Sequence, residues 1–252
     1  MSFLKYIKLE IIKIRSSYIK YTIILPLLLS LAMIATDLML RKETILSQYK
    51  PIINDGFQSL LVENHLSLIW PIILMFSIII NTICLFHIDI KNNSLTHILA
   101  SPISRSKYYL SKLITISLCT IISILLEGSI LIIIGYMFNL SPNIDIPLVI
   151  RYMWMQLFCC FGLIGLQCFL FSLSRDPIFL ISINIAGICG SLMLLRYPSI
   201  GKFSPYLQIS NSMFLTINSN ILVTSMVFSS ILFVVLTILG LIIFNYRDIK
   251  GE

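Results

Sequence analysis

The sequence predicts an all-α, polytopic membrane protein with six transmembrane helices preceded by an amphipathic interfacial helix. Three observations predict it. Of 252 residues, 58% are apolar and 12% charged, against about 45–50% and about 25% in an ordinary soluble domain. The mean hydropathy is +0.96. The apolar residues also fall into six long runs, each near the roughly 20 residues that a spanning helix needs. A soluble fold of this size cannot hide so much apolar surface, and a disordered chain would show the opposite composition. Residues 1–252 therefore read as a single transmembrane domain.

Residues 2–20 form the interfacial helix. At 100° per residue Phe3, Leu4, Ile7, Ile11, Ile14 and Tyr18 share one face, and Lys5, Lys13 and Lys20 take the other. Such a helix lies on an anionic leaflet with its apolar side down. The spans follow at 21–40, 66–90, 110–138, 148–173, 178–195 and 221–244. Pro26 is tolerable inside the first of them. Residues 41–65 read as a polar loop, with Pro51 and the turn signal Asn54-Asp55-Gly56. Residues 91–109 are polar and carry Pro102, 139–147 form a short loop, and Ser174-Arg175-Asp176-Pro177 makes a tight turn. Residues 196–220 are a second long polar segment, with Pro198, Gly201 and Pro205. Trp70, Trp154, Tyr21, Tyr108, Tyr152 and Tyr246 stand near run ends, as an aromatic belt requires.

Six spans put both termini on one side. With the termini inside, twelve of the 18 Lys+Arg lie on inner segments and six on outer ones, which makes the termini cytoplasmic. The net charge of +7 is spread between apolar runs. It forms no clustered soluble basic face, so nucleic acid is excluded as a partner. The six cysteines all lie in apolar runs without a CxxC pair and read as small buried hydrophobes.

Enzyme motifs are missing. Gly201-Lys202 is the only Gly-Lys pair, and Arg196 stands where a phosphate-binding loop needs glycine. Neither EExxxR nor HExxH occurs, and His65, His87 and His97 lack zinc-motif spacing, so no catalytic or metal residue is assigned. The histidines read as polar residues near helix ends. Glu127 is the one acid deep inside an apolar run. An ionisable group there is costly and faces a bundle interior, a cavity or a partner helix. Two readings stand for it: a protonated or hydrogen-bonded packing residue, or a participant in substrate or conformational coupling.

The polar stretch from His87 to Lys112 carries the most information. Asn93 or Ser94 can cap a short helix, Leu95, Ile98 and Leu99 make its apolar face, and Pro102 ends it. Two readings stand here as well: a solvated loop, or a helix that docks on a cytoplasmic partner.

The string Leu99-Ala100-Ser101-Pro102-Ile103-Ser104-Arg105-Ser106-Lys107-Tyr108-Tyr109-Leu110-Ser111-Lys112 resembles the cytoplasmic loop of type-2 ABC transporter permeases. In that family the loop reads acid, Gly-Thr or Gly-Ser, a Leu-Leu pair, Pro, then Ser-Arg and Lys. Asn93-Ser94 departs from the Gly-Thr form. The length and the opening FLKYIKLEIIKIRSS resemble the small permeases of lantibiotic-immunity and bacitracin-resistance transporters.

That resemblance implies a multi-pass permease of a bacterial cell membrane that performs no catalysis itself. It implies two copies of a separate ATP-binding subunit that hold ATP and Mg, and a second permease, either an identical or a related chain. Asn93, Ser94, Leu95, Ile98, Leu99, Pro102 and Arg105 would form the ATPase-coupling loop. The substrate would be a lantibiotic-type peptide, expelled from the membrane lipid for self-immunity. The resemblance also admits export of another drug, lipid or polysaccharide, and a non-transporting scaffold or sensor remains a separate reading. Segments 41–65 and 196–220 would shape an outer platform. There Glu43, Asp55 and Glu63 are balanced by Arg41, Lys42 and Lys50.

Overall fold

An apolar segment in lipid must satisfy its own backbone hydrogen bonds, and the helix is the form in which a single segment does so. The computed structural model follows that constraint. It describes residues 3–49, 53, 55–91, 104–174, 176–215 and 218–246, and among these residues there are helices and no strand. Helix α1 (Phe3–Ser16) precedes the first span, α2 (Ile19–Tyr49). A short helix α3 (Gly56–Leu66) then leads to α4 (Trp70–Lys91). The spans α5 (Arg105–Met137), α6 (Ile146–Leu173) and α7 (Pro177–Leu194) follow. Two one-turn helices, α8 (Pro198–Gly201) and α9 (Leu207–Ser210), precede the last span, α10 (Ser219–Tyr246). Six helices, α2, α4, α5, α6, α7 and α10, are long and apolar enough to cross a membrane.

Local chemistry sets several starts. The Asp145 side chain accepts from Leu148 N at 3.2 Å, and that of Asp176 from Ile178 N at 2.9 Å. In each case a proline occupies the first turn, where its missing N–H costs nothing. Asn139 follows α5 at φ 48°, a left-handed conformation that asparagine tolerates.

Polarity misled the boundaries in two places. Residues 41–65 are not an open loop. α2 runs on to Tyr49 through a kink at Arg41, and 56–66 is helical. On α3 the polar side chains of Ser59, Glu63, Asn64 and His65 are buried against partners, which hydropathy cannot register. The second span starts at Trp70 rather than at 66, because Ile69 turns the chain at φ 53°. Within 196–220 the stretch around α9 folds inward, with Tyr206, Gln208, Ile209 and Met213 buried, while Tyr197, Ile200 and Phe203 are exposed.

Two apolar clusters fill the bundle. One runs along the whole of α4, from Trp70 to Phe86, and joins it to α5 and α6; within it Phe86 stacks on Phe171 at 3.8 Å between ring centres. The other gathers α2, α3, α5 and α6 at the end far from the chain termini. α6 and α10 meet most closely. Ser229 Oγ accepts from Gly162 N at 2.7 Å and donates to Cys159 O at 3.0 Å. A Cβ on Gly165 would stand 3.0 Å from Phe233 Cα. Small residues that let backbones touch are the usual basis of helix association in lipid. α7 is held by Asn184 and Gln167, which exchange bonds of 2.6 and 3.0 Å, and by Tyr206 OH donating to Asn184 at 2.9 Å.

The outer faces of α2, α7 and α10 are apolar and exposed, as lipid contact requires. Of the aromatics expected at the membrane edge, Tyr21, Trp154 and Tyr246 are exposed, whereas Trp70, Tyr108 and Tyr152 are core residues. Cys119, Cys159, Cys160 and Cys168 are buried, Cys84 is half-buried and Cys189 is exposed on α7. Gly165→Leu should wedge α6 from α10 and cost about 1–3 kcal/mol. Thermal unfolding of the purified chain in detergent should show a midpoint lowered by several degrees.

Candidate functional site

Two buried polar assemblies stand at opposite ends of the bundle. The first, at the termini end, is a closed ring of four alternating charges. Lys112 Nζ donates to Glu10 Oε2 at 2.7 Å and pairs with Asp89 Oδ2 at 2.6 Å. Lys13 Nζ reaches the other oxygen of each acid, Glu10 Oε1 at 2.9 Å and Asp89 Oδ1 at 2.8 Å. Lys112 gives its third proton to Leu85 O at 2.9 Å, so all its donors are used. Tyr108 OH donates to Asp89 Oδ2 at 2.8 Å. Glu10, Asp89 and Lys112 are almost fully buried, and the Lys13 side chain is 31% exposed.

The ring's sequence positions give it meaning. Asp89 sits near the end of α4, while Tyr108 and Lys112 sit in the first turns of α5. Glu10 and Lys13 lie on the face of α1 that meets the bundle. The interfacial helix is thus tied to both arms of segment 92–103. Burial alone would lower the Lys13 ammonium, but Glu10 and Asp89 reverse this and raise it above its ordinary value. The apolar stripe docks only in part: Ile14 packs against the core, whereas Ile11 and Tyr18 are exposed. Tyr6, Glu10 and Lys13 form the docking edge, which corrects the placement of Lys13 on a solvent face.

The second assembly fans out from α3. Glu63, Asn64 and His65 are consecutive and buried. Each step along a helix turns by about 100°, so the three point to different neighbours. Glu63 Oε2 accepts from Tyr49 OH at 2.7 Å and Ser67 Oγ at 2.9 Å, and Arg41 lies 3.4 Å from Oε1. Asn64 Nδ2 donates to Glu127 Oε1 at 2.8 Å, and Ser30 Oγ donates to the same oxygen at 2.9 Å. Glu127 Oε2 has no hydrogen-bond partner among the described residues.

The bonds of His65 fix their own directions. Nε2 faces Ser210 O at 3.0 Å and must donate, because a carbonyl only accepts. Nδ1 therefore accepts from Tyr152 OH at 2.8 Å, and Tyr152 accepts from Gln156 Nε2 at 2.7 Å. This relay joins α3, α6 and α9. Burial, partly offset by the bond to Ser210, pushes the imidazole down to about 4.

Of the expected balance of Glu43, Asp55 and Glu63 by Arg41, Lys42 and Lys50, the pairing of Arg41 with Glu63 is present, but inside the bundle. Glu63 is internal, Arg41 binds Asp37 and Glu63, and Lys42 Nζ donates to Phe138 O at 2.5 Å.

Of the residues assigned to the coupling loop, Asn93, Ser94, Leu95, Ile98, Leu99 and Pro102 lie outside the described residues. Arg105 donates to Asn245 O at 2.8 Å, tying the start of α5 to the end of α10. The structure places Glu127 in the bundle interior. The ring itself was missed. Its available signal was Glu10, a lone acid in a basic helix, together with Asp89 between two apolar residues at a span end.

Residues 6–191 match the family profile described as ABC-2 family transporter protein. No curated protein matches the chain.

Two measurements test the assemblies. Lys112→Met leaves two buried acids with one cation and should cost about 3–5 kcal/mol, the usual penalty for breaking a buried pair. Glu10→Gln with Lys112→Met leaves the neutral Lys13–Asp89 pair and should recover over half of the lost thermal stability. For His65, the unfolded imidazole titrates near 6.5 and the folded one near 4. The unfolded state therefore binds the extra proton between those values. The stabilisation is complete above pH 6.5, falls as pH drops through the window and levels off near 4. By pH 5 the loss should reach about 2 kcal/mol. Unfolding midpoints between pH 7 and 5 should fall more steeply for the native chain than for His65→Gln.

Proposed function

The chain belongs to the ABC-2 family of transporters, and from that premise we propose that it is the permease subunit of an exporter driven by a separate ATPase. Its cargo is a lantibiotic-type peptide, removed from the bacterial plasma membrane for self-immunity. The chain carries the pathway. ATP and Mg are held by two copies of the partner, and a second permease completes the assembly.

The observation that carries the coupling reading is the four-charge ring. It braces α1 against the end of α4 and the start of α5, the two arms that enter and leave segment 92–103. An ATPase pressing on that segment then moves two spans and the surface helix together. The excess of Lys and Arg on the same side supports cytoplasmic termini. The peptide cargo is supported by the opening sequence and the chain length.

The test is co-expression with the ATP-binding subunit in a sensitive host, challenged with a lantibiotic panel. Protection that vanishes when the ATPase is inactivated is the expected result. A complex without protection would overturn the immunity assignment, and no complex would overturn the ATPase partnership. Leu95→Asp or Leu99→Asp should reduce co-purification of the ATPase several-fold while leaving membrane insertion intact.

A further inference from the structure

Glu127 is a buried acid that the coupling reading does not use, and its carboxyl is bonded unevenly. Asn64 Nδ2 and Ser30 Oγ both donate to Oε1, at 2.8 and 2.9 Å, and Oε2 has no partner among the described residues. A carboxylate accepts on both oxygens, whereas a protonated carboxyl accepts on its carbonyl oxygen and donates from its hydroxyl. The distribution around Glu127 is that of the protonated form. The amide that serves Oε1 is incomplete in the matching way. Asn64 is fully buried, and its Oδ1 has no donor among the described residues. Two bare buried acceptors on groups already in contact are costly. One proton satisfies both: Oε2–H donating to Oδ1 closes a cyclic acid–amide pair with the existing N–H···O bond.

Among the described residues no cation neutralises Glu127 instead. On α2, Arg41 is committed to Asp37 and Glu63. On α3, Glu63 accepts from Tyr49 and Ser67, and His65 spends both ring nitrogens on Tyr152 and Ser210. On α6, Tyr152 is bound to His65 and Gln156, and Arg151 lies over the Phe214 ring at 4.7 Å. α10 carries no Asp, Glu, Lys or Arg from Ser219 to Tyr246. The ion pairs of α1 and α4 stand at the opposite end of the bundle. A hard metal cation gathers about six oxygens, far more than these two residues leave bare.

We propose that Glu127 and Asn64 form a proton-binding site that locks α3 onto α5, with Ser30 tying α2 to the same carboxyl. The proton sits on Glu127 Oε2 and is donated to Asn64 Oδ1. Any movement that parts α3 from α5 removes this acceptor and wets the carboxyl. The O–H bond then breaks, the proton passes to water and Glu127 is left as a carboxylate. Closure of the junction therefore takes up a proton, and opening releases it.

The test uses the full chain in dodecyl maltoside, which has no carbonyl group, with isotope-labelled glutamate carboxyls. A glutamate in water is ionised at pH 6, since it titrates near about 4.3. Infrared spectra at pH 6 should nevertheless show a labelled protonated-carboxyl band that shifts in D2O and is absent from Glu127→Gln. Asn64→Leu removes the acceptor and should move the band to higher frequency. Glu127→Gln cannot ionise and can keep a cyclic amide–amide pair with Asn64. Between pH 6 and 8 the unfolded chain holds this glutamate ionised, so the folded state binds the extra proton and native stability falls as pH rises. Over that range the native unfolding midpoint should drop by at least about 2 °C more than that of Glu127→Gln. The other titrating groups are common to both chains and cancel. Absence of the labelled band, equal pH slopes in the two chains, or a band that Asn64→Leu leaves in place would overturn the site. Should Asn64→Leu not fold, the band and the slopes decide alone. Stability that rises in sodium over choline chloride, with no band, would overturn it in favour of a metal cation. Neither measurement involves the ATPase or a cargo, so failure here leaves the permease assignment intact.

Discussion

The closed ring of Glu10, Lys112, Asp89 and Lys13 is the constraint on which the arrangement of the bundle's termini end depends. Each acid uses both oxygens and each lysine bridges both acids. Four isolated buried charges would each cost several kcal/mol. Closed into a ring, their charge cancels, and Leu85 O and Tyr108 OH add hydrogen bonds to Lys112 and Asp89. The same closure removes freedom. α1 cannot slide along the surface, and the ends of α4 and α5 cannot part, without uncovering charge. A surface helix held by lipid contact alone would carry no such register. Phe86 and Tyr108 pack beside Lys112 within 5.7 and 5.3 Å of its ammonium, so aromatic faces complete the enclosure.

At the other end a different economy operates. α3 is short and interrupts the path between two spans, yet three consecutive polar residues of its last turn each bind a separate helix. Hydrogen bonds made in the absence of competing water fix direction as well as distance, and the His65 relay shows it, since one carbonyl acceptor determines every donor behind it. Between the ring and this fan the helices are held mainly by shape, with Gly162 and Gly165 against α10 and apolar side chains elsewhere, and by uncharged polar ties such as Ser229 to Gly162 N and Gln167 to Asn184. The molecule therefore keeps its ion pairs at the two ends and uncharged contacts between them. That arrangement suits a body that must tilt as a unit and still pass a change from one side of a membrane to the other.

Much of this was legible in the sequence. Six spans, a leading amphipathic helix and the internal acid follow from run length and periodicity, because lipid leaves so few options for apolar backbone. What failed was the inference from polarity to exposure. Glu63, Asn64 and His65 look like loop residues, and Lys13 looks like a solvated lysine, until their partners are known. Those partners stand far off in the chain: Lys13 and Asp89 are 76 residues apart, and His65 and Ser210 are 145 apart. A local pattern contains no record of such pairs. Asn184 in α7 read as one more residue of an apolar run, although it binds Gln167 and Tyr206. Here too the partner decided the role.

The central claim is that the ring makes α1 and the arms of segment 92–103 one rigid unit. The direct measurement is the distance between spin labels at Lys8→Cys on α1 and Lys107→Cys on α5, both exposed, with the exposed Cys189 replaced. It is taken in the assembled transporter, with ATP and without. The account predicts a narrow distribution that stays in place in both states and broadens when Lys112→Met opens the ring. A distance that shifts with nucleotide in the intact ring would contradict it.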